Sequence, residues 1–147
     1  MAVGALNRSQ VRANVSTLLG TAAGVNESAF IELEAGPQGR AHLYWSLASI
    51  SSADAGHRAR PGTVIGRRYT VVVRFAHRIN PKDRETSRDA ALDSLDALER
   101  AVRNSTATQR RNLEINAWSD VERLSGSREW LIWDITLGLF ALFDLAA

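Results

Sequence analysis

Three histidines, His42, His57 and His77, are the side chains best suited to proton transfer or metal binding near neutral pH. Their spacing fits no ligand pattern. No H-E-x-x-H run and no glycine-rich phosphate loop occurs in the chain. Serine, histidine and aspartate are all present, but no G-x-S-x-G element holds a nucleophile between a strand and a helix. There is no cysteine, which excludes disulfides, thiolate catalysis and zinc–sulfur sites. His77 falls on the apolar row of a predicted strand, where a core or interface imidazole is expected rather than a catalyst. Asp89, Asp93 and Asp96 recur along one predicted helix. Arg84, Arg88 and Arg100 are interspersed with them and are expected to pair with them on a solvated face. No acid, base and nucleophile set can be named. The expectation is therefore a protein that is not an enzyme, without catalytic residues, cofactor or metal.

Arginine is the other chemical signal. Lys82 is the only lysine, and a GC-rich coding genome is the simplest explanation of that bias. Arg58, Arg60, Arg67, Arg68, Arg74, Arg78, Arg84 and Arg88 are concentrated in the middle of the chain. Guanidinium groups bind carboxylates and phosphates in a bidentate way that ammonium groups cannot. A nucleic-acid surface is one outcome. The aromatic residues that would stack bases lie on the opposite, apolar strand face, which weakens it. The net charge of +2 is too small to argue for nucleic acid by itself. Pairing with carboxylates of another subunit fits the same residues, and a solvated surface is the commonest fate of any one of them.

The elements that would position these side chains follow from periodicity. A length of 147 residues gives a single domain, 1–147. A hydrophobic fraction of 45% against 23% charged residues places it among globular chains rather than disordered ones. Val11, Val15, Leu18, Leu19 and Ala22 predict a helix over 7–22, with Asn7 capping it, Gln10 reaching back, and Leu6 and Val11 as a hydrophobic staple. Gly20 and Gly24 are expected to end it. "AFIELEA" (29–35) alternates and predicts a strand; "RAHLYWSLASI" (40–50) predicts a second. The polar stretch 51–66 is expected to be a long, flexible loop. "RRYTVVVRFAHRI" (67–79) predicts a strand with Tyr69, Val71, Val73 and Phe75 on one face and Arg68, Arg74 and Arg78 on the other. Asn80 and Pro81 are expected to open a helix that runs to about Arg103, burying Ala91, Leu95, Leu98 and Val102 with Leu92 beside them. "NLEINAW" alternates again, and a polar turn around "SGSRE" leads to the last segment.

That segment, "WLIWDITLGLFALFDLAA", is the most apolar of the chain. As a strand, its odd positions from Leu131 to Phe143 are all apolar, and Asp134 and Asp144 share the other, solvated face. As a helix, the two carboxylates would point about 80° apart and apolar side chains would surround the rod. A membrane span needs about 20 apolar residues and would bury Asp134, so no membrane association is expected. The N-terminus shows no basic segment followed by an apolar run, so no secretory leader is expected either. Gly138 is the expected site of a bulge. Trp130, Ile132, Phe140 and Leu142 make the even face apolar near both ends, and either a helix of this chain or a neighbouring subunit should cover them. The predicted architecture is α+β: a mixed, mainly antiparallel sheet with two helices packed on one face.

The run "YTVVVRFAHRINPKD", then "RDAALDSLDALERAV", then a strand pair ending in "EWLIWDITLGLFALFDL", resembles tail terminator (tail-completion) proteins of tailed bacteriophages over roughly residues 40–145. The resemblance implies a homo-oligomeric ring, commonly a hexamer, located in the virion at the tail or neck. Such a ring caps the tail tube, stops its polymerisation and faces a neck or connector protein, and DNA passes through its lumen without sequence-specific binding. It implies no catalytic residue. The candidate contact residues are Arg58, Arg60, Arg67, Arg68, Arg74, Arg78, Trp130, Ile132, Phe140 and Leu142. A head–tail completion protein of the neck is the alternative, and a nucleic-acid-binding module a third.

Overall fold

The computed structural model describes residues 4–22, 25–58 and 63–146. Among these residues, five strands form one sheet in the order β1-β2-β3-β5-β4. They are β1 (Val25–Glu27), β2 (Leu43–Arg58), β3 (Val64–Arg78), β4 (Glu114–Arg123) and β5 (Trp130–Asp144). Only the short β1–β2 pair is parallel; the other three pairs are antiparallel. Helices α1 (Arg8–Leu19) and α2 (Arg84–Arg103) cover one face, and α3 (Ala107–Arg110) is a single turn before β4. The fold is α+β in two layers, with a mixed, mainly antiparallel sheet.

The pleat of β5 sets the core. Leu131, Trp133, Ile135, Leu137, Leu139 and Ala141 are all buried beneath the helices, opposite Phe75, Val73, Val71 and Tyr69 of β3. Apolar side chains at alternate positions of the two central strands thus share one face, as the two-residue period of a strand requires. Val11, Val15, Leu18 and Leu19 of α1 and Ala91, Leu95, Leu98 and Val102 of α2 close that core from above. Leu92 is exposed instead of lying beside this stripe.

The start of α1 is as its sequence dictates. Gln10 N donates to Asn7 Oδ1 at 2.9 Å, and Asn7 N donates to Gln10 Oε1 at 2.9 Å. Leu6 and Val11 are both buried. Gly20 is the C-cap, whereas Gly24 lies outside the described residues. The start of α2 differs from expectation. Pro81 and Lys82 form a turn closed by the Asp83 amide on the Asn80 carbonyl at 3.1 Å, and Asp83 caps the helix by accepting from Thr86 N at 3.1 Å. Pro81 suits a first helical position, but the Asp83 carboxylate reaches both the amide and the hydroxyl of Thr86 and wins the cap.

Two segments are corrections. Residues 29–35 are not a strand. Ile31 alone of their apolar row is fully buried, and the chain turns back at Gly36, whose amide bonds to the Glu32 carbonyl at 2.8 Å. The strand in this region is β1, just upstream, whose three residues are too few to show a period. The expected loop 51–66 is also not a loop at 51–58 or 64–66, where β2 and β3 continue as a long hairpin. Residues 59–62 lie outside the described residues.

The expected bulge at Gly138 lies on the neighbouring strand. β5 pairs with β3 without interruption, while β4 shifts register between Ile115 and Ala117. A Cβ at Gly138 would sit 3.1 Å from that of Ala117, so the glycine admits a close approach of β4. Among the described residues no helix is long and apolar enough to cross a membrane, and the terminal segment is an interior strand of the sheet.

Candidate functional site

The face of the sheet away from the helices carries the even positions of β5 and β3. Its two halves differ. At the Trp130 end, residues 28–42 lie across the sheet and enclose a second small core of Ile31, Tyr44, Ala76, Trp130 and Ile132. Trp130 is 2% exposed and Ile132 0%. Tyr44 meets Trp130 edge-on, with ring centroids 5.7 Å apart. The cover of this end is therefore an irregular segment of the same chain, neither a helix nor a neighbouring subunit. Trp130 and Ile132 are removed as contact residues.

Two of the candidate arginines hold that cover down. Arg74 Nε donates to Asp134 Oδ1 at 2.8 Å, and its Nη1 donates to the Ile31 carbonyl at 3.1 Å. Arg78 Nη2 donates to the Gly39 carbonyl at 2.6 Å, and its guanidinium lies 4.3 Å above the Trp130 ring. Asp134, expected on a solvated face, is buried within this arrangement. Arg67 points the other way, to the helix-bearing face. It is buried, with its guanidinium 3.5 Å from the Phe143 ring centroid and 3.4 Å from the Tyr69 hydroxyl, to which it donates. Arg58 ends β2, and Arg60 lies outside the described residues.

The other half of the outer face, toward the Asp144 end of β5, is open among the described residues. Arg68 and Thr70 are exposed; Val72, Thr136, Phe140 and Leu142 are half-buried. Phe140 lies over Gly66, where an added Cβ would come within 2.7 Å of its ring. Of the candidate contact residues whose side chains are described, exposed Arg68 and half-buried Phe140 and Leu142 lie together on this half, while Arg74 and Arg78 are half-buried and engaged with the covering segment.

His42 and His77 line one crevice with Asn80, Asp83 and Ser87. His77 Nδ1 lies 2.8 Å from the Arg78 carbonyl, which can only accept, so the proton resides on Nδ1. Partial burial pushes the His77 imidazole below its ordinary value; the bond to that carbonyl opposes the shift and neighbouring His42 adds to it. The Thr86 hydroxyl and amide hold Asp83 below the usual carboxylate range. Among the described residues no group of three or more histidines and carboxylates could hold a metal ion. Asp89, Asp93 and Asp96 are exposed on α2, and Arg88 pairs with Glu122 of β4 at 2.6 Å rather than with them. That link between layers was not readable from helical spacing, because its acid comes from another element. No protein-family model matches this chain, and no curated protein matches it in sequence.

Proposed function

We propose that this chain is a structural subunit that assembles with copies of itself into a ring, a homo-hexamer by its resemblance, at the head-proximal end of a phage tail tube. There it ends tube polymerisation and joins the tail to the neck. The observation that supports a protein-joining role is the divided outer face of the sheet. One half is sealed by the chain's own residues 28–42, and the other leaves Phe140, Leu142 and Val72 partly open beside Thr70 and Thr136. An apolar patch on a sheet interior, ringed by polar residues, marks a contact site. The phage assignment rests on the resemblance over residues 40–145. It places a tail tube protein and a neck or connector protein as neighbours, the virion as the location, and DNA in the lumen.

A nucleic-acid surface is the weaker reading. Arg74 and Arg78 are engaged with Asp134 and backbone carbonyls, and Arg67 is buried under Phe143. Only Arg68 of the β3 arginines is exposed. Native mass spectrometry tests the proposal. A closed oligomer is expected for the protein alone, and a complex when a tail tube subunit is added. A monomer at every concentration overturns it; an oligomer that binds a connector but no tube subunit assigns it to neck completion instead.

A further inference from the structure

Among the described residues, the two edges of the sheet are each covered at one end only, and at opposite ends. β1 covers β2 at Leu43, Tyr44 and Trp45, and the Ser28 amide adds a bond to the Trp45 carbonyl at 2.8 Å. Beyond Trp45, β2 has no neighbour on that side among the described residues. At the other edge, the Leu6 amide bonds to the Leu142 carbonyl at 2.8 Å and fills the end of β5 that β4 does not reach. β4 itself is the last strand. Tracing the register across the sheet puts Glu114–Val121 of β4 at the height of the free stretch of β2, while Glu122 and Arg123 are level with Trp45 and Tyr44, which β1 covers. Leu47 is level with Val73, Ile135 and Asp120, and Ser49 with Val72, Thr136 and Ser119. Ala53 is level with Arg68, Phe140 and Glu114. Unpaired strand edges carry a row of backbone donors and acceptors that another strand can complete.

We propose that the free stretch of β2 in one copy receives β4 of the next, so that the sheet continues from subunit to subunit; this deepens the ring reading and rests on it. β2 and β4 run in opposite directions, because each lies antiparallel to one of the adjacent pair β3 and β5, themselves antiparallel. The new ladder is therefore antiparallel, the more stable kind. The bulges at Ala48 and Asn116 fall at different heights, and Ser49, Ile50 and Ser51 face Ser119, Trp118 and Ala117 with regular backbone on both sides. A contact between two different surfaces of one chain repeats head to tail, and a level register is compatible with closure into a ring.

Charge selects the same register. Arg8 donates to Ser52 Oγ at 3.2 Å, and Arg12 lines a crevice with Leu47 and Trp45, so two exposed guanidinium groups flank the free stretch of β2. Asp120 of β4 is exposed, oriented by the Trp118 indole N–H at 2.9 Å, and level with Leu47. Neither Arg12 nor Asp120 has an ion-pair partner among the described residues. The pairing places Asp120 of one copy beside Arg12 of the next.

The chain has no cysteine, so introduced thiols report without background. Ser49→Cys and Ser119→Cys are each made alone and together, on exposed positions of the same sheet face. Oxidation, or a short bis-maleimide, is expected to link an equal mixture of the two single variants into dimers, and the double variant into a ladder ending in a closed ring. Arg12→Glu and Asp120→Arg should each raise the concentration needed for assembly by about tenfold, and the double reversal should restore it. A wild-type oligomer whose mixed single variants do not link overturns the edge pairing and leaves the ring reading intact. Linking of Ser119→Cys to itself shows a two-fold β4–β4 contact and overturns it as well. A wild-type chain that stays monomeric, with no links, overturns both.

Discussion

Arg74 and Asp134 face one another directly across the β3–β5 ladder and are joined by two hydrogen bonds, Nε to Oδ1 at 2.8 Å and Nη2 to Oδ2 at 3.3 Å. Their side chains are 15% and 11% exposed, so the pair is largely desolvated. The third arm of the guanidinium reaches the Ile31 carbonyl and ties the covering segment to the sheet. Removing one partner leaves the other charge beneath that segment. Asp134→Ala should therefore lower stability by about 3 kcal/mol, read as a shift in urea midpoint at constant slope. Arg123 lies 3.5 Å from Asp134 but is half-exposed, so Arg123→Ala should cost under about 1 kcal/mol. The double change Arg74→Met with Asp134→Leu should regain most of the loss. A single variant as stable as wild type would show that the pair does not hold the segment.

Trp130 packs directly against Gly36. That glycine has φ of +72°, and an added Cβ would collide with the Trp130 indole. Gly36→Ala combines backbone strain with overpacking and should cost about 2–4 kcal/mol. The damage should be local. Amide exchange should quicken at Gly36, whose N–H bonds to Glu32, while the strand amides of β3 and β5 stay protected. Uniform loss of protection across the sheet would mean that residues 28–42 are integral to the main core instead of a separate cover.

His77 makes stability depend on pH in one direction. Its pKa in the folded protein is below 6.5, so just below pH 6.5 the unfolded chain binds more protons than the folded one. Stability is complete above that pH and falls as the pH drops through the window below it. His77→Gln keeps a side-chain N–H for the Arg78 carbonyl and should flatten this part of the profile. His42→Ala removes a neighbour that disfavours the imidazolium and should narrow the window. Urea unfolding at pH 8 and pH 5.5, with the imidazole resonances followed by NMR, distinguishes these outcomes. An unchanged slope in His77→Gln would assign the pH dependence elsewhere.

What the sequence revealed follows the strength of its periodic signal. β3 and β5 alternate over many residues with β-branched and aromatic side chains, so their faces were legible, as was α1 from its cap and apolar stripe. Residues 51–58 read as a loop in sequence because Ser51, Ser52, Ala53 and Asp54 have a loop-like composition; pairing with β3, not their own propensity, makes them a strand. Residues 29–35 alternate, yet Gly36 reverses the chain; Ile31 is fully buried and Leu33 only partly, while Ala29 and Ala35 are exposed. The burial of Asp134 was invisible for a related reason. Arg74 is the charge that neutralises it, and only the register of β3 on β5 reveals that the two are opposite. The division of the outer face could not be read at all, since the residues that seal half of it belong to an irregular segment.

That division yields the last prediction. If the open half contacts the tail tube or the neck while the edges join copies, the two functions should separate by mutation. Phe140 is half-buried beside exposed Arg68 and Thr70, and sits over Gly66. Phe140→Ser removes a large apolar side chain from the centre of the patch and should weaken partner binding by on the order of thirtyfold, about 2 kcal/mol. Thr70→Lys puts a charge on the same surface, at an exposed position of a central strand, and should weaken binding comparably with little change in urea midpoint. Neither residue lies in β2 or β4, so both variants should still form the oligomer seen for the wild type. Titration with a tube or connector subunit, with native mass measured in parallel, reads both quantities. Variants that dissociate into monomers yet bind the partner normally would place the self-contact on this face and move the partner site to the edges.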